Sequence, residues 1–264
     1  MRRFLDYLFK EWFRQVGEAL LLAFLVTTFV FTTVGVVGSS MNPTLLNGER
    51  VFVPKYETWL VRFGLMQWAR GEVAIVKPPE GTPNAVAQFP VLGFQFRAFF
   101  IKRIIGLPGD EVSLREGVVY LNGQPINELH ITASLTPYPD SYPVVCYENE
   151  RLTALITQQQ VRFSPESLPE YLRPTLEMLV PPSPADLEKS RNGEHCYTGS
   201  LKLKPGYYFV MGDNRTFGGS EDSRTFGPVP TSAIAGRANA VWWPLNRIRS
   251  LPVPEGFKGL VGKP

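Results

Sequence analysis

The chain has 264 residues, 44% hydrophobic and only 19% charged, with 24 Pro and 23 Gly. That length allows one large domain, or one domain with a sizeable insertion, and the Pro and Gly content favours a loop-rich β protein over a helical bundle. A formal net charge of +3, with no basic stripe interleaved with aromatics, gives no footprint for nucleic acid.

Ala19 to Val37 is a run of 19 residues without a charge, long enough to cross a bilayer core of roughly 30 Å as a helix. Arg2, Arg3, Lys10 and Arg14 precede it, against Asp6, Glu11 and Glu18. The positive-inside rule places that end in the cytoplasm. Nothing after Gly38 has the pattern of a second span, so Ser39 onward is expected outside the cytoplasmic face of the cell membrane. A cleaved secretory signal is the alternative, but its apolar region normally runs about 7–15 residues. The preceding "FLDYLFKEWFRQVGEAL" reads as a long amphipathic, interfacial helix. A retained single-pass anchor over residues 1–38 is the expectation, and either reading exports the rest.

Beyond the anchor, "GERVFVPKY" reads as a strand entered through the Asn47-Gly48 turn. In "YETWLVRFGLMQWAR", Trp59, Phe63 and Met66 share a helical face. "GEVAIVKPP", "VLGFQFRAFFIKRIIGLPGDEVSL" and "GVVYLNGQPI" are β-branched or aromatic and closed by Gly, Pro or Asn. Together they predict a mostly β protein, with an antiparallel barrel or sandwich-like core. Residues 127–199 are polar and proline-rich, with six prolines from Pro165 to Pro184; short helical turns fit there, a long helix does not. The expected organisation is an anchor at 1–38, a β-rich core at 39–126 and 200–252, an inserted subdomain at 127–199 and a tail at 253–264.

Familiar reactive patterns are missing. The two histidines, His130 and His195, both lie in the insertion, and there is no G-x-S-x-G elbow, H-E-x-x-H or P-loop. Adjacent His195 and Cys196 lack zinc-ligand spacing, so zinc is not expected there. In an exported segment, Cys146 and Cys196 favour a disulfide; two buried thiols are the alternative. A serine nucleophile does not require histidine. A neutral lysine amine can accept its proton, and apolar surroundings lower a lysine pKa from its ordinary value of about 10.4. Lys102, in "FQFRAFFIKRIIGLPGD", has such surroundings. On a strand it would share a face with Phe100 and Ile104, while Arg103 points the other way. An inward lysine must be paired or neutral; a lysine snorkelling to water from a strand end is the bland alternative.

Three segments, in order behind the anchor, carry a resemblance. "SSMNPTLL" (Ser39–Leu46), "IKRIIGLPGDEV" (Ile101–Val112) and "GDNRTFGGSEDSRTFGPV" (Gly212–Val229) resemble the signature boxes of the type I signal peptidases, membrane-bound Ser/Lys proteases that remove signal peptides from exported proteins. "RGEVAIV" (Arg70–Val76) resembles a fourth box, which forms a strand near the substrate. The resemblance covers the anchor and the β core but not most of 127–199.

By position, the resemblance implies Ser40 as nucleophile and Lys102 as general base, a mechanism that needs no metal or cofactor. Met41 and Pro43 would shape the turn that presents Ser40. Ser220 of "SEDSR" would hydrogen-bond the Lys102 amine, with Asp222 and Arg224 as a supporting ion pair and Asp213 and Arg215 buttressing the site. Two small-residue pockets are implied, with Met41, the "EVAIV" strand and Phe99 to Ile101, including Ile101 itself, as walls. The family commonly has two residues between "GDNR" and the following serine; here Thr216 to Gly219 makes four. Some members place a serine donor for the oxyanion hole where this chain has Gly38. The implied substrates are preproteins cut after Ala-x-Ala-type sequences. The implied partners are their signal peptides and the lipid bilayer, with the secretion machinery a further candidate. Trp59, Leu60, Phe63, Leu65, Met66 and Trp68 form an apolar cluster suited to a membrane interface, as Trp242 and Trp243 do. Two rivals remain: a self-cleaving repressor-type Ser/Lys peptidase, disfavoured by the anchor, and a membrane-anchored β-domain that only binds or scaffolds.

Overall fold

Phe100–Gly106 is the middle strand of a five-stranded antiparallel sheet, and six of its seven residues are buried. The order is Val229–Pro230, Tyr207–Met211, Phe100–Gly106, Val73–Val76, Ile234–Arg237. The chain is described by a computed structural model over residues 2–88 and 95–260. Alternation along the central strand sorts its side chains. Ile104 packs with Trp68, Ala74, Val76 and Val210, and Ile101 packs on another cluster with Met41, Val51, Val53, Val73 and Ile75. Lys102 lies opposite the small Ala74 in the ladder, with its amine 5.3 Å over the Phe100 ring.

A second antiparallel sheet runs Phe31–Gly35, Arg50–Pro54, Ala240–Trp243, Arg249–Ser250. Its first strand corrects the expected anchor. The helix Arg2–Leu25 passes through a π turn, Val26–Val30, and the chain then extends to pair Phe31 with Pro54 through Gly35 with Arg50. The helical stretch long and apolar enough to cross a membrane is therefore Lys10–Val30. The final residues of the uncharged run belong to the core. Phe-Thr-Thr-Val suits a pleated surface, and the edge of Arg50–Pro54 satisfies its backbone groups. Phe29 stacks on Trp59 at 6.2 Å and Phe31 meets Phe52 at 5.0 Å, tying the helix end to the core. Leu20, Leu21, Leu22 and Phe24 stay exposed, with no protein covering them.

The helix Lys55–Arg62 ends before Phe63, so Phe63 and Met66 do not continue its face as expected. Gly64, at φ +71°, turns the chain out of it. Phe63 and Leu65 are exposed as an interfacial cluster requires, but Trp68 is buried at 2% exposure against Ala74 and Ile104. Trp242 and Trp243 are partly exposed.

Segment 127–199 contains more strand than its composition suggests. Arg162–Phe163, Arg151–Ile156, Val144–Glu148 and His195–Thr198 form a four-stranded antiparallel sheet over a small core of Val145, Leu155, Leu168 and Leu172. Cys146 and Cys196 face each other across it and are joined by a disulfide. The remainder is short helices, Arg173–Glu177 and Pro184–Ser190 the longest. The tail buries Phe257 in a further core cluster with Val112, Leu114 and Phe209. The expected strand start at residues 91–94 and the chain end at 261–264 lie outside the described residues.

Candidate active site

The turn bearing Ser40 begins where the first core strand ends. Gly38 adopts φ +90°, a conformation that favours glycine, and its N–H donates to Asn47 Oδ1 at 3.0 Å. Asn42 N–H donates to Ser39 O at 3.0 Å, the Asn42-Pro43 peptide is cis, and Leu45 N–H returns to Met41 O at 2.9 Å. Met41 and Leu45 are fully buried and pin the turn to the core. Its far end is clamped by Arg249, which donates to both carboxylate oxygens of buried Glu49 at 2.8 Å and to Thr44 O at 2.7 Å. Burial would raise the Glu49 carboxyl, but the Arg249 hydrogen bond and charge hold it below the ordinary range. Ser40 is left half-exposed.

Lys102 approaches from the central strand and is 3% exposed. Among the described residues no ion pair engages its amine. Burial lowers its pKa from 10.5 to about 8; Asp222 opposes the fall, and Arg224 adds to it. At mildly alkaline pH this lysine holds a sizeable neutral fraction, as a proton acceptor must.

The segment 212–224 surrounds both residues. A side-chain carbon on Gly212 would come within 2.2 Å of Ser220 Oγ and 2.5 Å of Ser40 O, so only glycine lets the two serines pack there. Asn214 holds the Ser40 turn directly: its N–H donates to Ser40 O at 3.0 Å and its Nδ2 to Ser39 O at 3.2 Å. Asp222 and Arg224 form the expected pair, at 2.9 and 2.8 Å, and Arg224 also donates to Asp140 at 2.9 Å. Burial would raise Asp222, but Arg224 holds it at about 2. Asp213 and Arg215 do not pair with each other. Asp213 takes Arg103 Nε at 2.8 Å and the Thr44 hydroxyl; Arg215 is bidentate to Glu128 at 2.8 and 2.6 Å. Burial opposes ionisation of Asp213, but the Arg103 guanidinium keeps its carboxyl well below the usual range.

Two cavities share Ser40 and Lys102 in their walls. One, about 380 Å³, is lined by Val34, Val36, Met41, Phe99 and Ile101 among others. The other, about 240 Å³, is lined by Gly38, Gly218, Gly219, Ser220 and Glu221. Pro43, a candidate substrate-binding residue, lines neither. Ser220 reaches the cavity, but among the described residues its buried Oγ has no partner, the lysine amine included. No hydrogen bond joins Ser40 Oγ to Lys102 Nζ either.

The family model for "Signal peptidase, peptidase S26" matches residues 9–243. This chain belongs to that family. It is 29% identical to signal peptidase I of Bacillus licheniformis over 240 residues, covering 90% of this chain and 91% of the relative. It is 28% identical to signal peptidase I P of Bacillus subtilis subsp. natto, covering 90% and 91%. It is 28% identical to the probable signal peptidase I-2 of Synechocystis sp., covering 89% and 73%.

The chain's two departures from the family pattern have local explanations. The longer loop closes on itself: Thr216 N–H and Oγ1 donate to Asn214 Oδ1 at 3.2 and 2.7 Å, and Gly219 N–H to Thr216 O at 3.0 Å. Gly218 takes φ +65° at the bend. The two extra residues thus turn in place and return Ser220 to the cavity. At Gly38 a side chain would meet nothing within 4 Å, but the φ value disfavours one. Its N–H is spent on Asn47, whereas the Ser40 N–H has no hydrogen-bond partner among the described residues. Sequence reasoning missed Asn214, although it lies inside the quoted box. It also missed Arg103 as the partner of Asp213, and Glu128, Asp140 and Glu49, which no motif marks.

Proposed function

We propose that this chain is a membrane-anchored serine endopeptidase that removes signal peptides from preproteins, with Ser40 as nucleophile and neutral Lys102 as general base. The observation that carries the reading is the meeting of a half-exposed serine and an unpaired, buried lysine on the walls of one cavity, in a chain of the signal peptidase family. Lys102 takes the Ser40 Oγ proton as the hydroxyl attacks the scissile carbonyl. The resulting ammonium protonates the leaving amine, and a water activated by the regenerated amine clears the acyl-enzyme. The free Ser40 N–H is placed to donate to the developing oxyanion. Ser220, with an unspent hydroxyl beside the lysine, positions the amine once substrate closes the site. Asp222, Arg224, Asp213 and Arg215 act through the frame they build.

The apolar cavity beside Met41 and Ile101 suits small side chains before the cut. The helix over Lys10–Val30 crosses the cell membrane with its N-terminus cytoplasmic, so the catalytic domain lies outside beside membrane-held substrates. The Cys146–Cys196 disulfide fits that oxidising side. The test is cleavage of an Ala-x-Ala preprotein in membranes by wild type, Ser40→Ala and Lys102→Met. Each variant should lose roughly 10⁴-fold or more. Cleavage by both at the wild-type rate ends the proposal.

A further inference from the structure

The second cavity at Ser40, the polar one, carries one charge that the proposed mechanism does not use. Glu221 lines it with Ser40, Lys102, Ser220, Gly218 and Gly219. Its neighbour Asp222 is turned inward and saturated by Arg224 and the Gly212 N–H. Glu221 is different. It is part-exposed, and one oxygen accepts from Asn84 Nδ2, which reaches over from the loop before Val86–Gln88. Among the described residues no cation pairs with it. Lys102 lines the same cavity but must be neutral to act as base, so it does not neutralise the carboxylate in the working state.

The two cavities differ in character. The larger is walled by Val34, Val36, Met41, Phe99 and Ile101; the smaller by glycines, serines and Glu221. A peptide whose small residue before the cut sits in the apolar cavity, with its carbonyl at Ser40, continues past the serine into the polar one. The segment there is the start of the mature protein.

We infer that Glu221, held by Asn84, is a specificity-determining residue that selects basic side chains among the first residues after the cleavage site. This rests on the Ser40/Lys102 reading above, which orients the substrate. A part-exposed carboxylate at the mouth of a cleft attracts a nearby cation and repels an anion. Each effect is modest, so together they separate Lys from Asp substrates by about threefold to tenfold in kcat/KM.

The experiment uses the full chain in detergent micelles and three Ala-x-Ala peptides that carry Lys, Gln or Asp at the second position after the cut. Wild type is compared with Glu221→Gln and Glu221→Arg, and with Asn84→Ala, which frees the carboxylate without changing its charge. Thermal melts report folding, and the Gln peptide reports the dyad in each variant. The inference expects Lys above Gln above Asp in wild type, a flat series in Glu221→Gln, and the reverse order in Glu221→Arg. Asn84→Ala should keep the order with a smaller spread. A wild type indifferent to the charge, or an order unchanged in Glu221→Gln and Glu221→Arg, overturns the inference while leaving the dyad standing. Failure of wild type to cleave any of the three defeats the reading beneath it and the inference together.

Discussion

Two sets of buried polar side chains meet around residues 212–224, and they are treated oppositely. Those that build the frame are saturated. Asp222 receives the Arg224 guanidinium twice, the Arg224 N–H and the Gly212 N–H, Asp213 receives Arg103 and Thr44, and Arg215 grips Glu128 with its two terminal guanidinium nitrogens. Those that face the cavity are left wanting: Ser220 Oγ has no partner, and Lys102 is buried without an ion pair. An unsatisfied buried polar group opposes folding. Within residues 212–224 the difference locates where stability has been given up, and it falls on the side that faces the proposed dyad. The frame holds this small unfavourable patch in place.

The sharpest way to break the comparison is to remove a partner from the frame. Arg224→Met leaves Asp222 and Asp140 facing each other without their cation, and should lower stability by about 3–5 kcal/mol, read as a denaturant midpoint. Arg224 also lowers the Lys102 pKa, so whatever activity survives should have its acid limb moved to higher pH.

Removing a group from the cavity should do the opposite. Burial lowers the Lys102 pKa from 10.5 to about 8, which corresponds to about 3 kcal/mol against folding at neutral pH. The sign follows from linkage. Between pH 8 and 10.5 the unfolded chain holds the extra proton, so this group makes stability rise with pH across that window, while below it the whole penalty stands. Lys102→Met should abolish activity yet raise stability at pH 7 by up to about 3 kcal/mol, and it should flatten stability between pH 8 and 10.5. A loss of stability at pH 7 would place Lys102 with the frame instead.

Ser220→Ala gives the smallest effect on folding. Deleting a hydroxyl that bonds nothing should leave stability within about 1 kcal/mol of wild type or slightly above it. If the hydroxyl orients the amine in the substrate complex, kcat falls roughly 10²-fold with KM little changed.

The same division explains what the sequence made legible. Ser40, Lys102 and the 220–224 segment were singled out by the ordered motifs of the resemblance, since each local pattern alone has a bland reading, and the structure brings them to the walls of one cavity. The partners that complete the frame were not. Arg103 reaches Asp213 across 110 positions, Arg215 reaches Glu128 across 87, and Arg249 reaches Glu49 across 200; no periodicity records such pairings. The end of the anchor was misread for another reason. Phe31 to Val37 is as apolar as the helix before it, and hydropathy does not register that Phe31–Gly35 finds a strand edge to pair with. Trp68 followed the same logic: an aromatic suited to a membrane interface is equally suited to the core that claimed it.

The most direct test of the central claim is the pH dependence of kcat/KM on an Ala-x-Ala peptide. If neutral Lys102 is the base that activates Ser40, activity should climb with pH through an acid limb centred near 8, where the buried amine loses its proton. An acid limb with no titrating group between about pH 7 and 9 would contradict the lysine as base.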